Sequence, residues 1–268
     1  KMIKNIIKYI YYFFYQFFFS NFLILDAVLF KKKIIFDKRN KFFFLQLAND
    51  KNDLNTLRQI YIKEEYNIKN FSSFNTVQKF YDSIIDANKT PLIVDCGSNI
   101  GASLNYFYLM YKKSKLVGIE GDIDNYNISN KNIISKKIKI YNKVVSSDNC
   151  NYQIKDESIK DGRSKSFIKS DNGTMKSILL NDIIKEYPKE NYIPFLIKID
   201  LEGAEKELFN KNIEWFSLFP IIMIEIHDWL EPSKNISSGF LKEINLLNNK
   251  DLLINNENLI LINYDILK

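Results

Sequence analysis

The ten residues Leu92-Ile93-Val94-Asp95-Cys96-Gly97-Ser98-Asn99-Ile100-Gly101 constrain this chain more than any other stretch. Pro91, with its fixed φ and missing N–H, suits the first residue of a strand. The apolar positions after it read as a short strand buried on both faces. A small-residue turn follows, then an amphipathic run from Ile100 to Tyr111. Strand, glycine turn and helix together open a nucleotide-type ligand site. Glycine lets the backbone approach a ligand, and the helix N-terminus offers free N–H groups. Gly97 and Gly101 are four apart, which is not the G-x-G-x-x-G of dinucleotide binders and argues against an NAD-dependent oxidoreductase.

The second strand, Lys115 to Glu120, ends on a carboxylate that can take two ribose hydroxyls. Ile123 to Ile134 reads as the next helix and Ile138 to Val145 as the third strand. Strands alternating with helices of this length imply right-handed crossovers and a parallel sheet. Asp148 to Lys176 is polar and reads as one long loop, the kind that is functional or disordered. A fourth strand, Phe195 to Asp200, ends on an acid as the first does, and Leu201 to Glu205 turns it into a helix. Ile221 to His227 forms a fifth, carrying Glu225 and His227 at its end, and residues 252–263 close the sheet as an antiparallel pair. Ligands of open parallel sheets lie beyond the strand carboxyl ends. Asp95, Glu120, Asp200, Glu225 and His227 therefore outline one cleft.

Upstream, residues 1–32 form a basic aromatic segment expected as a helix from Ile3 to Phe30. Tyr9 to Leu25 holds no charge over seventeen residues, interrupted only by Gln16, Ser20 and Asn21, at the lower limit for a bilayer span. Lysines flank it on both sides, which suits an interfacial or partner-docking helix; the alternatives are a helix packed within its own domain and a true span. It lacks a small-residue cleavage site. Residues 1–45 hold nine Lys/Arg against two Asp, a net +7 of the chain's +6, so the remainder is nearly neutral. That asymmetry points to a local anionic partner and away from nucleic acid; no Asn/Asp-Pro-Pro-aromatic signature is present either. Residues 33–90 read as a hairpin (Lys33 to Phe36, Lys41 to Leu47) and two approach helices, Leu54 to Glu64 and Thr76 to Ala87, leading into a domain over 91–268. Two cysteines without metal or disulfide spacing fit a reducing cytoplasm, peripheral to the inner membrane face through the basic end. One histidine excludes a histidine-rich metal centre.

Three blocks carry a resemblance: Val94 to Gly101; Ser177 to Ile183 leading to Ile197-Lys198-Ile199-Asp200-Leu201-Glu202-Gly203-Ala204-Glu205; and Ile224 to His227. Over roughly residues 50–265 the chain resembles the FkbM-type family of S-adenosylmethionine-dependent methyltransferases. It departs from that pattern at Ser98, Gly121 and Asn181, where Ala, Pro and Asp are usual. The resemblance implies a class I, Rossmann-like fold with a seven-stranded, mostly parallel sheet and helices on both faces. It implies that Asp95, Gly97, Asn99 and Gly101 form the turn for S-adenosylmethionine, that Glu120 holds the ribose, and that Val145 and Ser146 flank the adenine. The implied reaction is O-methyl transfer to a small-molecule, sugar or lipid-linked glycan acceptor. Such a transfer requires donor and acceptor held in line, and a base for the hydroxyl proton. His227 has the right intrinsic pKa for that base. Asp200 could serve instead or orient the hydroxyl, with Glu225 beside them. Glu202 and Glu205 are divided between acceptor contacts and helix caps. Mg²⁺ could sit on Asp200 and neighbouring carboxylates, though no dedicated cage is legible. The rival reading is a non-catalytic, membrane-associated binding or scaffold subunit of a glycan-assembly system.

Overall fold

The computed structural model describes residues 11–26, 32–48, 51–154 and 167–267. The chain enters through helix α1 (residues 11–18) and a three-stranded antiparallel sheet, β1 (Phe22–Asp26), β2 (Lys32–Asp37) and β3 (Phe42–Leu47), in the order β1-β2-β3. The expected helix over residues 3–30 is thus shorter at its described end. Ser20 and Asn21 break it because their side chains bind elsewhere: Ser20 Oγ donates to Tyr61 O at 2.8 Å, and Asn21 Nδ2 to Glu64 Oε1 at 2.9 Å. Lys38 Nζ then caps the helix, donating to the carbonyls of Gln16, Phe17 and Ser20 at 2.6–2.9 Å. Gln16 accepts the N–H of Ile24, which ties the helix to β1. The expected hairpin gains β1 as a third strand.

Helix α2 (Lys51–Leu57) runs into a π-helical turn, Arg58–Ile62, and α3 (Phe74–Asp86) delivers the chain to β4 (Thr90–Cys96). Then come α4 (Ala102–Met110), β5 (Lys115–Glu120), α5 (Ile123–Asn132), β6 (Ile138–Asn142) and β7 (Val144–Val145). The expected third strand is therefore split at Lys143. The expected loop is also more ordered than its composition suggests. Its ends form β8 (Asn151–Ile154), β9 (Phe167–Lys169) and β10 (Met175–Ile178), which join β7 in a small sheet ordered β7-β10-β8-β9; its centre lies outside the described residues. After α6 (Leu180–Lys185) come β11 (Tyr192–Ile199), α7 (Glu205–Leu208), β12 (Ile221–Glu225), α8 (Ser238–Leu246), β13 (Lys250–Asn255) and β14 (Asn258–Asn263).

Seven of these strands form the main sheet, in the order β13-β14-β12-β11-β4-β5-β6. All neighbours are parallel except those of β14, which runs antiparallel to β12 and β13. This is the class I, Rossmann-like arrangement expected from the sequence. Alternate residues feed two cores: Ile93, Leu196 and Met223 face α3, α4 and the N-terminal sheet, while Val94, Ile197 and Ile224 face α6 and α8. Helices thus cover both faces. The strand order reverses between β4 and β11, and crevices open at the carboxyl ends of such a pair.

Candidate active site

Across that switch point β4 and β11 pair Asp95 directly with Lys198. Asp95 is fully buried and Lys198 is 2% exposed, so each must be compensated by the other. Lys198 Nζ lies 3.2 Å from Asp95 Oδ1 and 3.3 Å from Asp200 Oδ2, and it donates to Gly97 O at 2.9 Å. Ser103 at the start of α4 donates to Asp95 Oδ2. Burial pushes the Asp95 carboxyl up, opposed by the Lys198 charge and the Ser103 bond. The lysine ties the glycine turn to the end of β11. It is a central residue that the sequence reading passed over. Its signal was a lone cation inside the apolar run Phe195–Ile199.

The turn needs glycine at two positions. Gly97 and Gly101 have φ of +81° and +80°, and a Cβ on Gly97 would stand 1.9 Å from the carbonyl oxygen of Asp200. Asn99 is left-handed as well, at φ 48°. Its N–H donates to Glu120 Oε2 at 2.7 Å, while the N–H of Asp122 reaches Oε1 at 2.8 Å. Burial raises the Glu120 carboxyl to about 7, although these two N–H groups pull the other way.

Two pockets flank the turn. The smaller is lined by Gly97, Asn99, Glu120, Gly121, Val145 and Phe167 among others. Phe167 of β9 fills the space left at Gly121, where a Cβ would come within 2.7 Å of its ring. The larger, about 240 Å³, is more polar and is walled by Asn55, Arg58, Lys63, Glu65, Glu225 and Glu257 among others. Arg58 comes from the π turn, a form that recurs at functional sites. Gly97, Asn99, Asp200 and Glu202 line both pockets.

His227 lies just beyond β12, 1% exposed, with Nδ1 2.8 Å from Glu205 Oε1. Its Nε2 is 3.4 Å from Glu225 Oε1, 3.7 Å from Glu202 Oε2 and 3.9 Å from Asp200 Oδ1. Burial works against a charged ring, but bonds to Glu205 and Glu225 and the fields of Glu205 and Asp200 outweigh it, raising the pKa to about 11. His227, expected as the proton acceptor, lines neither pocket and faces carboxylates through both ring nitrogens.

The expected residues therefore separate into groups. Gly97, Asn99, Glu120, Val145, Asp200, Glu202 and Glu225 line the pockets. Asp95 lies beneath the turn and lines neither pocket. Gly101 starts α4 and packs against Ser129. Ser146 is turned away, accepting from Tyr152 Oη at 2.8 Å. Glu205 is 1% exposed and accepts from Leu201 N and faces His227, so it positions the imidazole and is out of reach of an acceptor. Glu65, which the sequence reading did not single out, is buried on the larger pocket. Burial, then repulsion from Glu225 and Asp200, raises its pKa to about 8.

A family model of the FkbM methyltransferase domain matches residues 95–251. No curated protein matches the sequence. Among solved structures the chain is similar to a proposed O-methyltransferase from Klebsiella pneumoniae, at 10% identity and TM-score 0.39 over 81% of this chain and 92% of that one. It is also similar to a proposed caffeoyl-CoA O-methyltransferase from Staphylococcus aureus, at 13% identity and TM-score 0.40 over 80% and 93%. A third is the N-terminal domain of human METTL16 in complex with SAH, at 12% identity and TM-score 0.34 over 70% and 68%. At such scores these likenesses carry no argument, and the fold rests on the sheet order itself.

Proposed function

The chain belongs to the FkbM methyltransferase family, and from that premise we propose that it moves the sulfonium methyl of S-adenosylmethionine onto a hydroxyl oxygen of a sugar or glycan intermediate. The observation that carries this reading is the pair of pockets meeting at Gly97, Asn99, Asp200 and Glu202. The smaller pocket suits the adenosyl group, with Glu120 toward the ribose hydroxyls and Val145 and Phe167 beside the base. The larger suits the acceptor. Its polar wall of Asn55, Arg58, Lys63, Glu65 and Glu257 matches a hydroxyl-rich molecule, and this is what favours a sugar over an apolar substrate. Most of the acceleration comes from holding donor and acceptor in line across the shared residues.

As the oxygen attacks, its proton has to leave. Asp200 stands at the junction with Oδ2 held by Lys198 and Oδ1 turned toward His227. It is the group we assign to orient the hydroxyl and take the proton. His227, held by Glu205, supports that carboxylate from behind.

We further assign the N-terminal segment to peripheral contact with an anionic membrane. Phe18 and Phe19 are 75% and 74% exposed, and Phe43 and Leu45 on the outer face of β3 are also more than half exposed. Antiparallel sheets usually turn polar residues to water, so this aromatic face is exceptional and its lysine-rich surroundings suit acidic headgroups. No helix among the described residues is long and apolar enough to cross a membrane.

A labelled-methyl transfer screen against nucleotide sugars and lipid-linked glycans tests the reaction, with calorimetry of S-adenosylmethionine alongside. Micromolar binding with label on an acceptor oxygen is the expected outcome. No binding would leave the non-catalytic scaffold as the better reading. Asp200→Asn should lower turnover by two to four orders of magnitude, about the range of general-base losses, with cofactor affinity nearly unchanged.

A further inference from the structure

The geometry points to a divalent-cation site formed by His227 Nε2 and the carboxylates of Asp200 and Glu202, at the junction of the two pockets. One ligand atom from each lies within 4.8 Å of the others. Nε2 stands 3.4 Å from Glu225 Oε1, and an ion would take the place of the proton held there; its separations of 3.7 Å from Glu202 Oε2 and 3.9 Å from Asp200 Oδ1 are too long for hydrogen bonds. They are the size expected between ligands of one ion: two atoms each about 2.1 Å from a metal at a tetrahedral angle stand about 3.4 Å apart, and at wider angles about 4 Å.

Each ligand is also aimed. His227 is 1% exposed, and Glu205 occupies its Nδ1 at 2.8 Å, which turns Nε2 to the carboxylates. A histidine whose far nitrogen is held by a buried carboxylate is the arrangement that orients metal-binding imidazoles. Glu205 is itself fixed, accepting from the N–H of Leu201 at 3.1 Å. Asp200 has one oxygen committed to Lys198 at 3.3 Å, while Oδ1 is enclosed and has no hydrogen-bond partner among the described residues. An enclosed polar atom without a partner calls for a ligand. Glu202 reaches the site from a left-handed backbone, φ 50°, ahead of Gly203 at φ +98°.

One imidazole nitrogen and two carboxylate oxygens suit Mn²⁺, Fe²⁺ or Zn²⁺ better than Mg²⁺, which seeks oxygen alone. Three protein ligands leave coordination positions open toward the larger pocket. An acceptor oxygen entering there would complete the shell, so that the hydroxyl is selected by its reach to the ion. This last step rests on reading that pocket as the acceptor's; the cation site itself does not.

The test is Mn²⁺ titration of the full chain followed by electron paramagnetic resonance, in which bound ion loses the signal of free aquo-Mn²⁺. One ion per chain is expected. Glu202→Gln, at a partly exposed position, and His227→Ala should each weaken binding at least about tenfold, and Glu205→Gln about 10–100-fold, the range for loss of a ligand's supporting carboxylate. Circular dichroism checks each fold. No uptake by the wild-type chain, or equal uptake by Glu202→Gln and His227→Ala, would overturn the site. Calorimetry of S-adenosylmethionine on the same samples keeps the two readings apart. Cofactor binding without Mn²⁺ overturns the cation site alone, whereas Mn²⁺ binding without cofactor upholds the site and overturns the transfer reaction.

Discussion

The strand-tip cleft and the N-terminal sheet break the same rule in opposite directions. Charged groups belong outside and large apolar groups inside. In the cleft, Asp95, Lys198, Glu205 and His227 are almost wholly buried. In the N-terminal unit, Phe18, Phe19, Phe43 and Leu45 stand in solvent. The compensation differs. Each buried charge in the cleft faces an opposite charge a few ångströms away, so that region is fixed by mutual dependence. The inner side of the N-terminal sheet is conventional, with Phe22 and Ile35 fully buried, and its outer face can change without disturbing the fold. One region should fail as a unit, the other residue by residue.

The sharpest way to break this contrast is Lys198→Met. It leaves Asp95 buried opposite a thioether, and removing one partner of a buried pair costs about 3–5 kcal/mol. Urea denaturation should show a loss of that size. A loss below about 1 kcal/mol would mean that the cleft is not mutually dependent, and the comparison would fall.

Glu120 gives the next effect, and it depends on pH. Its folded pKa of about 7 lies above the ordinary value of 4.5, chiefly because of burial. Between those values the folded state holds a proton that the unfolded state has released. The stabilising contribution is therefore complete below about pH 4.5 and is lost as pH rises through 7. A shift of that size corresponds to about 3 kcal/mol. Glu120→Gln should flatten the decline between pH 5 and 8 by a large part of that amount. The same variant should bind S-adenosylmethionine at least tenfold more weakly, because its side chain can no longer accept from two ribose hydroxyls. A stability profile parallel to that of the wild-type protein would place the carboxylate in a less buried setting.

Much of this contrast was legible before the fold. The turn from Gly97 to Gly101 and the block from Lys198 to Glu205 carry local signals, because glycine spacing and strand-end acids act within a few residues. Lys198 was harder. Its partner Asp95 is distant in sequence, and only the order β11-β4 brings them level. The raised pKa of His227 depends on carboxylates from Glu205, Glu225 and Asp200 gathered by tertiary packing. No intrinsic pKa could reveal that. The end of the N-terminal helix was illegible for another reason. A string of aromatic residues has no clear period, so the change from helix α1 to strand β1 rests on Ser20, Asn21 and the distant Lys38.

The smallest expected effect on stability belongs to Phe18→Ser with Phe19→Ser. Truncation would be a poor instrument here, since Phe22 is fully buried and its ring packs on Tyr61 at 5.0 Å and Tyr106 at 5.8 Å. The two exposed rings are different. Surface substitutions away from special features fall within about 0.5 kcal/mol, so the denaturation midpoint should hardly move. Membrane contact should move a great deal, because each ring that inserts at headgroup depth removes apolar area from water. Sedimentation with vesicles containing phosphatidylserine should drop sharply in the double variant and should weaken with salt in the parent. Unchanged sedimentation would remove the membrane reading of this face. A fall of several kcal/mol in stability would show instead that the rings are part of the core, and the opposition between the two regions would lose one of its sides.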